Sequence, residues 1–319
     1  MDKTFKNYDE MLELLRSRGI DLSTGELRGR AKVLLQHNGY YNLINGYKEP
    51  FLIHDEVGKP AIPEAYIPGT TVEDIYQLYS FDRNLRYSIL QSTLDIETNI
   101  KSLISYAFSE VHGHQNYLLL QNFDTAQRDG ISKVTALIAD IQKQLASRTS
   151  DPSISHYLNS YGYVPLWVLN NILTFGQISK FYSLMLPAER VIVAKVLRVH
   201  DFELSNMLTL LTQVRNFCAH SNRLYCFRTK RPLLDLELHK SLGIERNVRT
   251  HEYLYGKRDF FAVMIVLKVL LPFRSFRALV NRIDGYFGIF SKNAILTEKD
   301  VQKQMGFPDD WKVLLLRQY

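Results

Sequence analysis

The chain of 319 residues carries 39 Lys and Arg against 33 Asp and Glu, a net charge of +6, and 46% of its residues are hydrophobic. This content suffices for a sizeable core, and the absence of low-complexity runs excludes a disordered chain. No apolar run reaches membrane-spanning length, and the N-terminus lacks the apolar core of a signal peptide. Two cysteines outside any metal-ligand spacing are typical of a reducing cytoplasm, where we expect the protein to act.

Apolar residues recur at helical spacing along the first half of the chain. Helices are predicted over residues 8–18 and 24–37, and residues 39–69 are predicted to be irregular or to hold a short hairpin. Four aromatic residues near its start can stack on nucleic-acid bases, but we favour the protein core for them. They are Tyr40, Tyr41, Tyr47 and Phe51.

The longest predicted helix begins at Thr71 and runs to His112. Its (i, i+4) pairs are typical of ordinary pairing on a helix surface. These pairs are Asp82 with Arg86 and Glu97 with Lys101. His112 and His114 have a spacing that metal sites use, but no carboxylate or cysteine cluster accompanies them, so no metal site is predicted.

The rest of the chain continues the helical pattern. Helices are predicted over residues 131–145, 169–173, 176–185, 188–199, 259–271, 274–290 and 297–305. Residues 147–160 are predicted to be a polar connection, and Trp167 is predicted to anchor the core. Because alternating strand patterns are nearly absent, we predict an all-α, mostly helical fold.

The stretch from Leu208 to Tyr225 combines an apolar helical stripe with a polar face. Asn216, His220 and Arg223 share the polar face, whereas Arg215 lies five residues before His220, about 140° round a regular helix. Two arrangements bring Arg215 and His220 to one ligand. Either the helix ends near Ala219, or a second copy of the chain completes the site across a two-fold axis.

These residue types suit phosphodiester cleavage in RNA. An arginine fork binds phosphate, an imidazole moves protons near neutral pH, and the 2′-hydroxyl of RNA can attack the adjacent phosphorus without a metal or cofactor. His220 is then the general acid or base, Arg215 stabilises the phosphorane charge, and Asn216 orients one of them. The alternative is structural, with His220 capping a helix and Arg215 and Arg223 in surface ion pairs.

Positive charge is concentrated around this stretch. Residues 204–282 contain 14 Lys or Arg against five Asp or Glu, and no acidic residue lies between Leu204 and Leu234. The basic run Arg228, Lys230 and Arg231 can follow a nucleic-acid backbone. A solvated helical face or an acidic protein partner remains an equally good explanation of the charge alone.

The segment Arg215-Asn-Phe-Cys-Ala-His220, followed by Arg223-Leu-Tyr225, resembles the R-N-x-x-x-H segment of HEPN domains in Abi (abortive infection) proteins of the AbiD/AbiF type. Three other stretches resemble that family in order. They are Gly39-Tyr-Tyr-Asn-Leu-Ile-Asn-Gly-Tyr-Lys-Glu-Pro-Phe51, Tyr79-Ser-Phe-Asp-Arg-Asn-Leu-Arg86 with Ile96-Glu97, and Pro165-Leu-Trp-Val168 with Thr174-Phe-Gly176. The resemblance covers roughly residues 10–230, and four ordered motifs are more specific than one.

The resemblance implies a HEPN-type helical bundle over residues 71–230, an N-terminal region over 1–70 packed on it, and a C-terminal helical extension over 231–319. It further implies a bacterial phage-defence protein: a homodimeric, metal-independent endoribonuclease toxin that needs no cofactor and is held by a small structured RNA. The alternatives are a non-catalytic RNA-binding module that forms a ribonucleoprotein with a small non-coding RNA, and a protein-interaction scaffold.

The family's catalytic Arg, polar neighbour and His fall on Arg215, Asn216 and His220. The predicted RNA-binding residues are Arg223, Arg228, Lys230, Arg231, Arg83, Arg86 and Lys101, and Glu97 is predicted to support the site. Two positions depart from the family pattern. Lys101 stands where many members have Arg, which loses the bidentate fork, and Ser221 stands where His or Asn is frequent.

Overall fold

The computed structural model describes residues 4–293 and 295–317. The protein is 64% helical, and no β-strand forms within these residues. Backbone β-pairing within them is limited to isolated antiparallel bridges, such as that between Leu52 and Tyr66. The predicted all-α class is therefore confirmed, whereas the HEPN-type arrangement stays a prediction. None of the described helices is both long and apolar enough to cross a membrane.

The helices follow the predicted order closely. They are α1 (Tyr8–Ser17), α2 (Gly25–Asn38), α3 (Val72–His112), α4 (Gly130–Ser147), α5 (Pro152–Tyr161), α6 (Leu166–Leu169), α7 (Phe175–Leu184), α8 (Pro187–Val196), α9 (Asp201–Ala219), α10 (Glu237–Ser241), α11 (Phe260–Leu270), α12 (Phe273–Phe287), α13 (Glu298–Met305) and α14 (Trp311–Leu316). A π-helical turn at Tyr41–Asn45 and a 3₁₀ turn at Glu49–Phe51 occupy the irregular segment. Two further 3₁₀ turns lie at Leu120–Asn122 and Gly288–Lys292.

The chain forms two compact units. The first unit comprises the residues up to Ser88, the segment Ser221–Arg228 and the residues from Arg277. Its core includes Phe81, whose ring lies 4.9 Å from that of Phe287. The second unit comprises Ile89–His220 and Thr229–Phe276. The three-segment division implied by the family resemblance stays a prediction.

The second unit is built around α9, which packs against α7, α8 and α11. The side chains of Leu208, Leu211 and Val214 are fully buried, so the apolar stripe of the motif helix faces its neighbours as predicted. Every residue of α11 from Phe260 to Leu267 is also buried, within the helix predicted over residues 259–271. This packing leaves the polar residues at the end of α9 on the outside.

Three predictions for the middle of the chain are wrong. The helix predicted over residues 169–173 instead spans Leu166–Leu169 (α6), and a turn follows it. Residues 147–160 contain α5, because Asp151 accepts hydrogen bonds from the amides of the first turn, Pro152 occupies the first helical position, and Ile154 is buried. Trp167 does not anchor the core, since 51% of its surface is exposed. Its neighbours Leu166 and Val168 are buried instead, and on the four-residue helix α6 the indole faces outward.

The four aromatic residues after Gly39 differ in their burial. Tyr47 and Phe51 are buried, as predicted for core residues, and Tyr40 is half-buried. The core prediction is wrong for Tyr41, which is 77% exposed. The reason is local: in the π-helical turn Leu43 and Ile44 are the residues that face inward, so Tyr41 lies on the opposite side.

Candidate functional site

The motif helix α9 ends at Ala219, and the residues that follow leave the helical path at once. His220 is the C-cap with φ −97° and ψ 16°, and Ser221 has a left-handed φ of +56°. A left-handed residue directly after the cap is a common way to end a helix, although glycine usually occupies it. The helix thus ends near Ala219, which is one of the two arrangements that the spacing of Arg215 and His220 allows.

The three predicted catalytic residues lie together in the second unit. Asn216 and His220 are exposed one helical turn apart, and the backbone N–H of His220 donates to the Asn216 carbonyl at 3.0 Å. Arg215 is half-buried, and its Nε is buried without a hydrogen-bond acceptor among the described residues. An unpaired buried N–H costs about 1–3 kcal/mol, so Arg215 carries a donor that no described group satisfies.

In the first unit, the fully buried carboxylate of Asp82 holds the segment that follows the motif in the chain. Its Oδ1 accepts hydrogen bonds from the backbone amides of Leu224 at 2.9 Å and Tyr225 at 2.7 Å. Its Oδ2 accepts one from the Tyr47 hydroxyl at 2.7 Å and forms an ion pair with Arg86. The carboxylate of Asp82 thus ties the segment Ser221–Arg228 to α3.

The Asp82 and Arg86 pair is not on the helix surface, so the reading suggested by its spacing is wrong. Burial raises the pKa of Asp82, while the guanidinium, the Tyr47 hydroxyl and the two backbone amides oppose this rise. Burial and the nearby carboxylate raise the pKa of Tyr47, which keeps its hydroxyl protonated as a donor. Arg86 is therefore committed to the interior, and its predicted contact with RNA stays a prediction.

Arg223 joins the same segment to the π-helical turn. Its Nη1 donates to the Gly46 carbonyl at 3.0 Å, while the side chain remains exposed. Arg83, also in the first unit, is half-buried and places its guanidinium carbon 5.7 Å from the centre of the Tyr79 ring. The three sequence stretches around Gly46, Asp82 and Arg223 therefore meet in one unit, although the chain separates them by many residues.

Three of the remaining predicted RNA-binding residues are exposed cations. Arg228 of the first unit and Lys230 and Arg231 of the second are exposed, and none forms an ion pair with a described carboxylate. Arg215 and Arg223 likewise form no ion pair with a described carboxylate, which argues against the alternative in which those two arginines only form surface ion pairs. These cations are available to a polyanion.

Glu97 is buried and Lys101 is half-buried, both in the second unit. Lys101 Nζ lies 2.7 Å from Glu97 Oε1 and donates to the Leu173 carbonyl at 2.8 Å. The Asn170 amide donates in turn to the Lys101 carbonyl at 2.9 Å. Lys101 thus ties α3 to the loop between α6 and α7, and an RNA contact for it, like the supporting role of Glu97, stays a prediction.

No group of three or more His, Cys, Asp or Glu residues with metal-binding geometry occurs in residues 4–293 and 295–317. His112 Nε2 is paired with the Glu189 carboxylate, and His114 Nε2 lies 2.9 Å from the Tyr163 hydroxyl. Each imidazole therefore has a protein partner. Cys218 and Cys226 form no disulfide bond.

Sequence reasoning missed the role of Asp82. The stretch Tyr79–Arg86 was found, but only its arginines were predicted to be functional, as RNA-binding residues. The spacing of a carboxylate and an arginine does not reveal whether the pair is buried. One signal was present: Asp82 follows Phe81 within an apolar stripe, and an acidic residue there needs hydrogen-bond donors when it is buried.

Comparison with known proteins identifies one relationship. The family model described as Abi-like protein matches residues 33–226, which is more than half of the chain and includes both α9 and the segment bound to Asp82. No curated protein matches, and no solved structure matches. The extent of the family match shows that the chain belongs to the Abi-like protein family.

Proposed function

We propose that this protein is an RNA-cleaving HEPN protein of the AbiD/AbiF type that acts in bacterial abortive infection against phage. Membership of the Abi-like family supports the defence role. The observation that carries the proposed cleavage is the end of α9, where the exposed His220 follows Arg215 by five residues and Arg215 has a buried N–H that finds no acceptor among the described residues. The activity is that of a metal-independent endoribonuclease toxin.

The proposed reaction uses the RNA's own nucleophile. A general base takes the proton of the 2′-hydroxyl, its oxygen attacks the adjacent phosphorus, and the 5′-oxygen leaves with a proton from a general acid. The products carry a 2′,3′-cyclic phosphate and a 5′-hydroxyl. His220 supplies the base or the acid, Arg215 neutralises the negative charge that grows on the phosphorane, and Asn216 orients one of these two groups.

A homodimer completes this chemistry, because in-line cleavage needs both a base and an acid and one motif offers one histidine. Two copies across a two-fold axis supply two imidazoles and two guanidinium groups. Exposed cations at Arg223, Arg228, Lys230 and Arg231, which form no ion pair with the described carboxylates, support RNA binding, including that of a small partner RNA that restrains the toxin. Sedimentation at twice the mass of one chain tests the dimer.

The decisive experiment compares wild type, His220→Ala and the control His37→Ala, another exposed histidine, on end-labelled RNA in excess EDTA. Wild type and His37→Ala are expected to cut the RNA and leave cyclic phosphate ends, whereas His220→Ala leaves it intact. Arg215→Lys keeps the charge but loses the guanidinium fork, so it should cut more slowly than wild type.

Two results contradict this assignment. If no variant cuts the RNA but all retain it on a filter, the protein is a non-catalytic RNA-binding module, such as the protein part of a ribonucleoprotein with a small non-coding RNA. If His220→Ala cuts as fast as wild type, the catalytic group lies elsewhere and His220 has been assigned wrongly.

A further inference from the structure

A small polar depression opens on the first unit. Its volume is about 290 Å³, and no carboxylate belongs to its lining. The groups that matter here are Tyr41, Asn42, Asn45, Tyr79, Asn222 and Arg223. Small-molecule sites usually occupy about 300–1,000 Å³, so this one accommodates a single compact group. Its aromatic, amide and guanidinium lining is unlike an ordinary solvated surface, where both signs of charge are mixed.

Tyr41 offers an open aromatic face at this depression. It is 77% exposed, and its side chain makes no ring contact or hydrogen bond with the described part of the chain. Leu43 and Ile44, both fully buried, anchor the π-helical turn that carries it. An isolated π-helical turn is uncommon and frequently occurs at functional sites. An exposed ring on an anchored turn is suited to stack on a flat ligand.

Three amide side chains accompany this ring. Asn42, Asn45 and Asn222 are exposed at the depression, and none of their amides hydrogen-bonds to another described residue. Each amide presents one acceptor and two donors. A neutral asparagine amide matches the paired donor and acceptor of adenine, its N6 and N7 atoms.

Two guanidinium groups have N–H donors left to bind phosphate. Arg223 uses Nη1 for the Gly46 carbonyl and forms no ion pair in the described ranges, so its other N–H groups remain for a ligand. Arg83 stacks on Tyr79, which lines the depression, and likewise has no carboxylate partner there. Below them Tyr47 and Arg86 are fixed by Asp82, which makes the base of the site rigid.

We infer that this depression binds one unpaired nucleotide of single-stranded RNA, preferably adenosine. Tyr41 stacks on the base, the asparagine amides contact its polar edge, and Arg223 with Arg83 binds the flanking phosphates. The inference rests on the proposed function, since it supposes that RNA is the ligand, and it adds a preference for sequence that the Arg215 and His220 motif cannot supply. Phosphate contacts alone would bind every sequence equally.

The test measures binding of fluorescein-labelled oligo(A), oligo(C) and oligo(U) by fluorescence anisotropy, with all variants made in the His220→Ala background to prevent cleavage. Tyr41→Ala should weaken binding of oligo(A) about 5- to 150-fold, the usual effect of losing one base stack. Tyr41→Trp should retain the affinity. The matched control is Tyr87→Ala, which removes another exposed tyrosine of the first unit, outside the depression, and should bind as the parent does.

Base recognition has its own readout. The parent should prefer oligo(A), and Asn42→Ala should bring the affinities for the three homopolymers closer together. Equal binding of all three by the parent, or equal binding by Tyr41→Ala and Tyr87→Ala, overturns the nucleotide site while the RNA-binding proposal stands. If no variant binds any of the homopolymers, the nucleotide site is overturned, and the cleavage experiment on longer RNA decides the proposed function separately.

Discussion

Replacing Asp82 by Asn tests how strongly one buried carboxylate fixes the segment that follows the motif. The amide oxygen of Asn can still accept from the backbone of Leu224 and Tyr225, but the charge opposite Arg86 is lost and an N–H group faces two donors. Removing one partner of a buried ion pair leaves an uncompensated charge and costs about 3–5 kcal/mol. We expect the free energy of unfolding to fall by this amount.

Trypsin offers a local measurement of the same effect, because Arg223 and Arg228 are its cleavage sites within the anchored segment. Native-state proteolysis follows the population of the open form, and about 1.4 kcal/mol corresponds to a tenfold change. Cleavage at these two arginines should therefore accelerate by about two to three and a half orders of magnitude in Asp82→Asn. The control Asp95→Asn changes an exposed aspartate of α3 and should alter stability by less than about 0.5 kcal/mol.

A second variant separates the stranded charge from the lost hydrogen bonds. Adding Arg86→Met to Asp82→Asn removes the guanidinium and should recover part of the lost stability, since apolar replacement of a buried pair is often neutral. The reasoning is refuted if Asp82→Asn unfolds in urea within about 1 kcal/mol of Asp95→Asn. It is also refuted if trypsin cuts both variants equally fast.

Three further substitutions should each change stability in a stated direction. Burial lowers the pKa of His239, so as the pH falls below about 6.5 the unfolded chain takes up this proton before the folded protein does. The stability of wild type should therefore decrease with falling pH, and that of His239→Gln should decrease less, as urea midpoints across pH 5–7 will show. Asp151→Ala removes the cap of α5 and should cost about 1 kcal/mol, with faster amide exchange in its first turn; unchanged exchange would contradict the capping role. Ser221→Val places a β-branched residue at φ +56° and should lower the melting temperature, whereas Ser221→Gly should not; equal melting of the two contradicts this backbone strain.

Local sequence signals predicted most of the helices well. The stripe of α9 and the long α3 come from apolar periodicity, which depends only on residues three or four positions apart, and the buried α11 comes from a continuous apolar run. The end of α9 near Ala219 was one of two arrangements that the spacing of Arg215 and His220 allowed. The helix α5 was missed because its polar composition resembles a connection, although Asp151 and Pro152 are ordinary signals of a helix start.

The candidate site could be predicted only in part from such local sequence signals. The residues Arg215, Asn216 and His220 were found from the motif, and the structure places all three at the end of one helix. The exposure of Tyr41 was not predicted, because an aromatic residue within a cluster is more often core, and only the geometry of the π-helical turn distinguishes it from its neighbours.

The sequence by itself determined the all-α class, the order of the helices and the motif at the end of α9, because each depends on neighbours along the chain. Only the tertiary structure decided that Asp82 and Arg86 are buried and that Asp82 binds the amides of Leu224 and Tyr225. The reason is physical: an (i, i+4) ion pair has the same spacing on a surface as in a core. Whether it is buried depends on segments that lie more than a hundred residues away in the chain.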